Sequence, residues 1–269
     1  MGTVPFLAES TQSPRGRASR AFAFLGLAIA LPSLVMATMT PEPRQARRTL
    51  GLFAKRPIPG QVKTRLAAAT SADWSARVAE AFLFDMMDRL ANIPARRVLA
   101  YAPVDAGPWF TDSAQGRFEL VAQKEGDLGR RLGGFLADEL ACGTEAVVVV
   151  GSDSPTLPAA LIERAFDELR AADVVLGPAH DGGYYLIGCG RRLPPVFEEI
   201  SWGSSRVLAE TVERLNDPAW RLALLPPWYD VDTLENWWMM RGHLAAMRRA
   251  GIDPGAPRTE SLSQALTVV

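Results

Sequence analysis

Basic residues gather in one loop of this sequence, between Lys55 and Arg65. Four of these eleven residues are basic, and two prolines and a glycine restrict the shape of the loop. Such a loop can hold lysine and arginine side chains, together with free amides, around a polyphosphate. The Gly-Lys-Ser/Thr ending of a Walker-type loop is missing, so that class is excluded. A solvated basic turn is the other interpretation of the same spacing.

Asp153 follows a run of four valines at the end of the most apolar stretch in the second half of the chain. A side chain that leaves a buried strand is held rigidly, and a hard carboxylate oxygen there suits Mg²⁺ or Mn²⁺, with nucleotide phosphates filling the other positions. Capping of the turn before the next helix is the second role open to Asp153.

Two further segments carry acidic candidates. Asp181 precedes a pair of glycines, which allow positive φ and close backbone approach. This carboxylate could orient an acceptor, act as a base, or form an Asx turn. In the second segment, residue alternation places Asp230 and Asp232 on the same side of an extended chain, where one of them can reach a metal. Asp153 with one distant carboxylate would form a sparse site, which magnesium completes with substrate phosphates.

The elements that must position these loops alternate between strand and helix from Thr49 onward. The continuous β-branched run at 146–150 predicts a strand that is buried on both faces of a parallel sheet. Apolar side chains at four-residue spacing predict a helix over 71–90, and Asp127 can cap another that runs to about 141. Further strands are predicted at 49–54, 97–102, 118–122, 173–178, 184–188 and 222–225, and further helices at 158–169, 204–215 and 233–250.

This alternation implies one α/β domain, with a mostly parallel sheet covered on both faces and the ligand beyond the carboxyl ends of the strands. An apolar fraction of 48% and a charged fraction of 22% are ordinary for a globular protein, and a net charge of -1 gives no nucleic-acid footprint. Cys142 and Cys189 are isolated, so neither a disulfide framework nor a metal-spaced cysteine pair is predicted.

Six sequence strings support a family resemblance, and they occur in the order FAKRPIPGQVKTRLA, GDLGRRL, VVGSDSPTLP, DGGYYLIG, ISWGSS and YDVDTLENW. Together they resemble a bacterial family of GT-A-type, glycosyltransferase-like proteins of the DUF2064 type, known as "transferase 1" of radical-SAM/selenodomain clusters and related to the 2-phospho-lactate guanylyltransferases. The match extends from about residue 49 to about residue 247. The resemblance implies a single nucleotide-diphospho-sugar transferase domain of three α/β/α layers, with a mostly parallel mixed sheet.

The resemblance also implies roles for individual residues. Asp153 becomes the primary ligand of Mg²⁺ or Mn²⁺ and Asp232 the second ligand, while catalysis is assigned to Asp153, Asp181 and Lys63. Residues implied to bind the nucleotide or its phosphates are Lys55, Lys63, Arg65, Asp127, Gly129 and Ser152. Residues implied to border the acceptor are Gly182, Gly183 and Tyr184. Helix capping would also explain Asp127.

The activity implied by the resemblance is metal-dependent transfer from a nucleotide-activated donor to a small-molecule acceptor. Glycosyl transfer from a nucleotide sugar is the first interpretation. The second is nucleotidyl transfer, which releases pyrophosphate from a triphosphate. The third is a nucleotide-binding module without catalysis. The chain lacks the glycine-rich loop followed by arginine and lysine that is typical of sugar-nucleotide pyrophosphorylases, which argues against that activity. No nucleic-acid partner is expected.

Residues 1–48 are interpreted as an N-terminal extension, and the transferase domain is assigned to 49–269. Residues 21–39 carry no charge and follow three arginines, a pattern typical of a signal peptide or an anchor helix. A second interpretation places the translation start at Met36 or Met39. Pro32 and the marginal length weaken a spanning helix, and export would separate the enzyme from nucleotides. A cytoplasmic location is therefore expected, and membrane contact by 21–39 is not favoured.

Overall fold

The computed structural model of the protein describes residues 47–265. The apolar segment 21–39 lies outside the described residues. Within them, one sheet contains the strands β1 (Arg48–Lys55), β2 (Arg96–Ala102), β3 (Glu119–Ala122), β4 (Ala146–Gly151), β5 (Val174–Pro178), β6 (Tyr184–Gly190) and β7 (Leu222–Leu224). The helices are α1 (Thr64–Ala68), α2 (Ala72–Leu90), α3 (Gly107–Ala114), α4 (Leu128–Ala141), α5 (Ala159–Glu168), α6 (Val207–Glu213), α7 (Leu234–Arg249) and α8 (Pro257–Ala265).

The sheet is mixed but mostly parallel, in the order β3-β2-β1-β4-β6-β5-β7. Parallel pairing joins β1 to β2 and β4, β2 to β3, and β5 to β7. β6 runs antiparallel to both β4 and β5. Because β5 and β6 are joined by a short hairpin, the turn that carries Asp181 lies at the same sheet edge as the carboxyl end of β4. The predicted α/β fold with a mostly parallel mixed sheet is confirmed.

The valines of β4 show how the sheet is covered on both faces. Val148 and Val150 pack into the core that α2 and α5 cover, whereas Val147 and Val149 pack into the core that α4 covers. All four side chains are almost completely buried. A continuous β-branched run therefore serves both faces, as the sequence predicts for a central strand. This burial on both sides fixes the strand end from which the Asp153 loop departs.

Three helices were not predicted from the sequence, namely α1, α3 and α8. Helix α1 is one short turn inside the basic loop, and Leu66 is its buried residue. Helix α3 begins with a glycine and a proline, which read as a turn. Helix α8 is held by polar contacts, since buried Asp85 accepts hydrogen bonds from the backbone N–H and the hydroxyl of Thr259 at 2.8 and 2.7 Å. The sequence of α8 shows no apolar stripe from which a helix could be predicted. Its hydrogen bonds to the buried carboxylate of Asp85 hold it in place instead.

Among residues 47–265, no helix combines the length and the apolarity that a bilayer crossing requires.

Candidate active site

A cleft of about 460 Å³ opens at the edge of the sheet where β1, β2 and β4 end. Of the site residues predicted from the sequence, those that line it are Lys55, Lys63, Ser152, Asp153, Asp181, Gly183, Tyr184 and Asp232. The predicted site residues that do not form its walls are Arg65, Asp127, Gly129 and Gly182. The fold thus brings together carboxylates and basic residues from loops that lie far apart in the sequence.

Lys63 connects the acidic loops. Its Nζ donates to Asp153 Oδ1 at 2.6 Å, to the carbonyl of Val231 at 2.7 Å and to Asp232 Oδ1 at 3.4 Å. The lysine side chain is 2% exposed and its Nζ lies 4.8 Å from the ring centre of Phe82. The backbone of Lys63 is left-handed, with φ 44° and ψ 47°, where α1 begins. Such a conformation is costly for a residue with a side chain and is typical of functional sites.

Burial and neighbouring charges shift the pKa of both Lys63 and Asp232. Burial alone would lower the pKa of Lys63, but the neighbouring Asp153 and Asp232 outweigh it, so the pKa is raised above its usual value. The pKa of Asp232 is also raised, first by burial and then by repulsion from Asp153, against the opposing attraction of Lys63 and Arg65. Asp153 and Asp232 keep 46% and 38% of their side chains exposed. A buried cation and two accessible carboxylates therefore face the cleft.

Asp230 lines the same cleft. Residue alternation leaves it open as a metal ligand beside Asp232, which the family resemblance favours. Burial and then the charges of Asp181, Asp232 and Asp153 raise its pKa to about 6. The alternation at 230–232 correctly placed both carboxylates on one side of the chain. What the sequence could not show is that Asp153 and Asp181, which come from two other loops, also converge on Asp230.

The two loops that carry Asp153 and Asp232 are joined directly. The backbone N–H of Val231 donates to the carbonyl of Asp153 at 3.0 Å. The hydroxyl of Thr156 donates to the Tyr229 hydroxyl at 2.6 Å, and that hydroxyl is 2.7 Å from Nδ1 of His243. These contacts fix the spacing of the two carboxylates. They also give one of the two histidines of the chain a structural partner, whereas the sequence offers no pairing for it.

The turn at Asp181 forms an Asx turn and lines the cleft at the same time. Its Oδ1 accepts from the backbone N–H of Gly183 at 2.9 Å. Gly182 has φ +90°, and a side chain there would collide with the backbone of Ser205. The structural and the functional interpretations of Asp181 are therefore compatible, because the second carboxylate oxygen forms no hydrogen bond with the described residues.

Asp127 and Gly129 both have structural roles at the start of α4. Asp127 Oδ1 accepts from the backbone N–H of Arg130 at 2.8 Å, so the helix cap that the sequence permits is formed. Gly129 is buried against the carbonyl of Phe197 and the indole of Trp202. Their contact with a nucleotide stays a prediction.

Substitution of Gly129 by alanine is expected to destabilise the protein by about 1–3 kcal/mol, the usual cost of overpacking. The added Cβ would lie 2.5 Å from Trp202 Nε1 and still closer to the backbone carbonyl of Phe197, which cannot rotate away. Because Trp202 lines the cleft, the same change should displace a wall of the site. Urea denaturation of the variant measures the loss of stability.

Gly242 supplies the matched control for Gly129, since it lies within α7 and a Cβ there meets no atom within 4 Å. Gly242→Ala is expected to stabilise the protein by roughly 0.4–1 kcal/mol, because alanine restricts the unfolded chain. If both alanine variants unfolded at the same urea concentration, close packing at Gly129 would be contradicted.

The remaining basic candidates differ in their surroundings. Lys55 is exposed, and its Nζ donates to the carbonyl of Gln61 at 2.8 Å. Arg65 is exposed outside the cleft, although its charge reaches Asp232. Arg131, in the string GDLGRRL, lines the cleft without having been assigned a role from the sequence. Its Nε donates to the carbonyl of Gly126 at 2.9 Å, and no described carboxylate lies within ion-pair distance of its guanidinium.

The donor set fits the Mg²⁺ or Mn²⁺ that the family resemblance implies. Asp153 and Asp232 use their Oδ1 atoms for Lys63, and their Oδ2 atoms form no hydrogen bond with the described residues. Within residues 47–265, no group of three or more His, Cys, Asp or Glu side chains is arranged to hold a metal. Two carboxylates would leave most positions of an octahedral ion to phosphates and water, as magnesium prefers.

Known proteins similar to this chain share the same fold. The family model described as "Uncharacterized protein conserved in bacteria (DUF2064)" matches residues 86–204. A structure from Desulfovibrio desulfuricans G20, assigned as a nucleotide-diphospho-sugar transferase, is 32% identical in sequence and has a TM-score of 0.73. That alignment covers 81% of this chain and 97% of the other. No curated protein sequence matches this chain.

Two more distant structures show similarity of fold alone. A cytidylyltransferase from Leptospira borgpetersenii serovar Hardjo-bovis is 11% identical, with a TM-score of 0.52 over 83% of this chain and 99% of its own. A 4-diphosphocytidyl-2C-methyl-D-erythritol synthase from Anaerococcus prevotii DSM 20548 is 12% identical, with a TM-score of 0.51 over 75% of this chain and 97% of its own. With 32% identity to the Desulfovibrio protein over nearly all of that protein's length, the chain belongs to the bacterial DUF2064 family, which has the nucleotide-diphospho-sugar transferase fold.

Proposed function

We propose that the protein is a metal-dependent transferase that transfers a glycosyl group from a nucleotide sugar to a small-molecule acceptor. The observation that carries this proposal is the placement of Lys63 between Asp153 and Asp232 at the ligand edge of the sheet. The assignment of the Desulfovibrio relative as a nucleotide-diphospho-sugar transferase supports the class of donor.

The distribution of charge along the cleft indicates how the donor is oriented in it. Lys55 and Arg131 lie on the side of β1 and α4, whereas Asp181 and Asp230 lie on the side of the β5–β6 hairpin and β7. A diphosphate is attracted to the basic side and repelled by the acidic side. We therefore place the phosphates of the donor towards Lys55 and Arg131, and the acceptor towards Asp181.

In the proposed reaction, a hydroxyl oxygen of the acceptor attacks the anomeric carbon of the donor sugar. The bond between that carbon and the phosphate oxygen breaks, and a nucleoside diphosphate leaves. Asp181 takes the proton of the acceptor hydroxyl, because this residue lines the cleft and its second oxygen forms no hydrogen bond with the described residues, while Gly183 fixes the first. A bound Mg²⁺ or Mn²⁺, held by Asp153 and Asp232, would supply positive charge that favours departure of the diphosphate.

Nucleotidyl transfer is a second candidate, and the basic side of the cleft favours it. Lys55 and Arg131 form no ion pair with a described carboxylate, which suits attack at phosphorus, where catalysis depends on positioning and on neutralising phosphate charge. In that reaction the acceptor oxygen attacks the α-phosphorus of a nucleoside triphosphate, and pyrophosphate leaves.

The released product distinguishes the two reactions. Donors for the assay can be selected by a thermal-shift screen of nucleotide sugars and nucleoside triphosphates with Mg²⁺ or Mn²⁺. A ligand at 100 times its dissociation constant stabilises the folded state by about 2.7 kcal/mol. Release of a nucleoside diphosphate supports glycosyl transfer, and release of pyrophosphate supports nucleotidyl transfer. Metal-dependent binding of a nucleotide without turnover of any acceptor in a panel would support the third interpretation, a nucleotide-binding module without catalysis.

Removal of divalent metal is expected to abolish turnover. With EDTA the charge on the leaving phosphate loses its main counter-ion, and addition of excess Mg²⁺ or Mn²⁺ should restore the rate. The rate is measured before and after the addition on the same sample, so loss of folded protein cannot imitate the effect. Full activity in EDTA would contradict the proposed metal dependence.

A further inference from the structure

The ammonium group of Lys63 has its full set of hydrogen bonds inside the protein. Three acceptors surround Nζ, namely one oxygen each of Asp153, Val231 and Asp232, and an ammonium has three donors. With 2% of the lysine side chain exposed, the ammonium group itself is shielded from water. In this arrangement the lysine has no N–H left for a phosphate, so its place between the carboxylates needs a different explanation.

We propose that Lys63 acts as a built-in counter-cation that keeps Asp153 and Asp232 from binding a free divalent metal, so that the metal enters together with the phosphates of the donor. This inference rests on the proposed function for the identity of the donor. It concerns the order in which the ligands of that site are bound, which the proposed function leaves open.

Charge and geometry support this role. Lys63 neutralises one of the two negative charges and occupies both Oδ1 atoms, so a free metal finds two single oxygens and a nearby positive charge. A donor diphosphate brings further negative charge and further oxygen ligands. Those oxygens complete the coordination that Mg²⁺ or Mn²⁺ requires, and their charge offsets that of Lys63.

The protein holds the lysine in this position at a conformational cost. The left-handed backbone of Lys63, at φ 44°, directs the side chain inward from the first residue before α1. The ring of Phe82 lies on one side of the ammonium group, and the carbonyl of Val231 accepts one of its protons. An ordinary surface ion pair would need none of these features.

Binding of Mn²⁺ alone to the full chain, followed by electron paramagnetic resonance without any nucleotide, tests the inference. Lys63→Met is expected to bind free Mn²⁺ at least about tenfold more tightly than the wild type, because one unit charge at this range changes affinity by a decade or more. Lys55→Met is the matched control, since Lys55 lines the cleft and contacts no carboxylate. Its affinity for free Mn²⁺ should equal that of the wild type.

Lys63→Gln provides a second neutral variant with a hydrogen-bonding side chain, in case the methionine variant does not fold. Equal affinity for free Mn²⁺ of the wild type and of each Lys63 variant that folds would overturn the proposal.

The wild type itself provides an independent measurement. ADP, CDP, GDP and UDP are added separately, and the diphosphate whose base the site accepts is expected to raise the affinity for Mn²⁺ at least about tenfold. In the presence of Mn²⁺ that diphosphate should bind more tightly by the same factor. Absence of coupling with all four diphosphates would overturn joint entry. Tighter Mn²⁺ binding by Lys63→Met, together with no transferase activity of the wild type in the product assay, would refute the proposed function and leave the charge role of Lys63 intact.

Discussion

Asp153→Ala is expected to lower turnover by at least about a hundredfold while the protein stays folded. One preorganised charged contact is worth about 3–4 kcal/mol in a transition state, and Asp153 would supply such a contact through the metal. The loss of stability should be small, because 46% of the side chain is exposed and water can enter the space that it leaves. Lys63 also keeps Asp232 and the Val231 carbonyl as partners.

The comparison requires turnover under saturating donor and metal, together with thermal unfolding followed by circular dichroism. Asp112→Ala is a suitable control, since Asp112 is exposed on α3 and does not line the cleft. Its turnover should match that of the wild type. A near-normal rate for Asp153→Ala, with a normal unfolding transition, would refute the assignment of Asp153 as the metal ligand.

The sheet could be predicted from the sequence because its signals are local. The valine run alone indicates that β4 is buried on both faces. A buried central strand at this position places Asp153, which follows it, at the ligand edge of the sheet. Boundaries of the predicted strands and helices differ from the observed ones by at most three residues, and the largest difference is at the start of the short helix α6. The same local signals could not predict α8, whose attachment depends on Asp85, far away in the sequence.

The grouping of the site residues could be predicted only in part. The order of strands and loops indicated that Asp153 meets Asp230 or Asp232 at one edge, and the family resemblance favoured Asp232. The contacts of Lys63, however, join residues that are 90 and 169 positions apart. The spacing of basic residues in the loop predicts a phosphate site. It cannot show that Lys63 turns inward and forms its hydrogen bonds with carboxylates. Asp181 illustrates the opposite case, in which turn chemistry and cleft lining were both readable and both occur.

The acidic loop of Asp230 and Asp232 rests on a separate group of apolar side chains. This group, the Trp237 cluster, contains Leu66, Val78, Phe82, Tyr229, Val231, Trp237, Met240 and Leu244. Its members Tyr229 and Val231 alternate with the two aspartates, so packing on one side of the segment presents the carboxylates on the other. The Trp237 cluster also includes Leu66 of α1, which links it to the loop of Lys63. Stability and site geometry are therefore coupled through one tryptophan.

Trp237→Ala is expected to destabilise the protein by roughly 3–5 kcal/mol, the range for removal of a buried large aromatic residue. Trp237 is fully buried, with its ring centre 4.9 Å from that of Trp74 in an edge arrangement and 6.4 Å from that of Phe82 in a stacked one. Urea denaturation measures the loss. Because the cavity lies beneath Tyr229 and Val231, affinity for the metal and the donor should fall in conditions where the variant is still folded.

Two further variants separate volume from polarity at this position. Trp237→Phe should cost much less than alanine, since it keeps an aromatic ring and removes an indole N–H that finds no hydrogen-bond partner among the described residues. Trp238→Ala changes the adjacent residue of α7, which is 41% exposed, and should alter stability by about 0.5 kcal/mol or less. Equal unfolding free energies for Trp237→Ala and Trp238→Ala would contradict the Trp237 cluster as the support of the acidic loop. A large difference between them, with part of the lost stability restored in Trp237→Phe, would show that packed volume beneath Asp230 and Asp232 holds that loop in place.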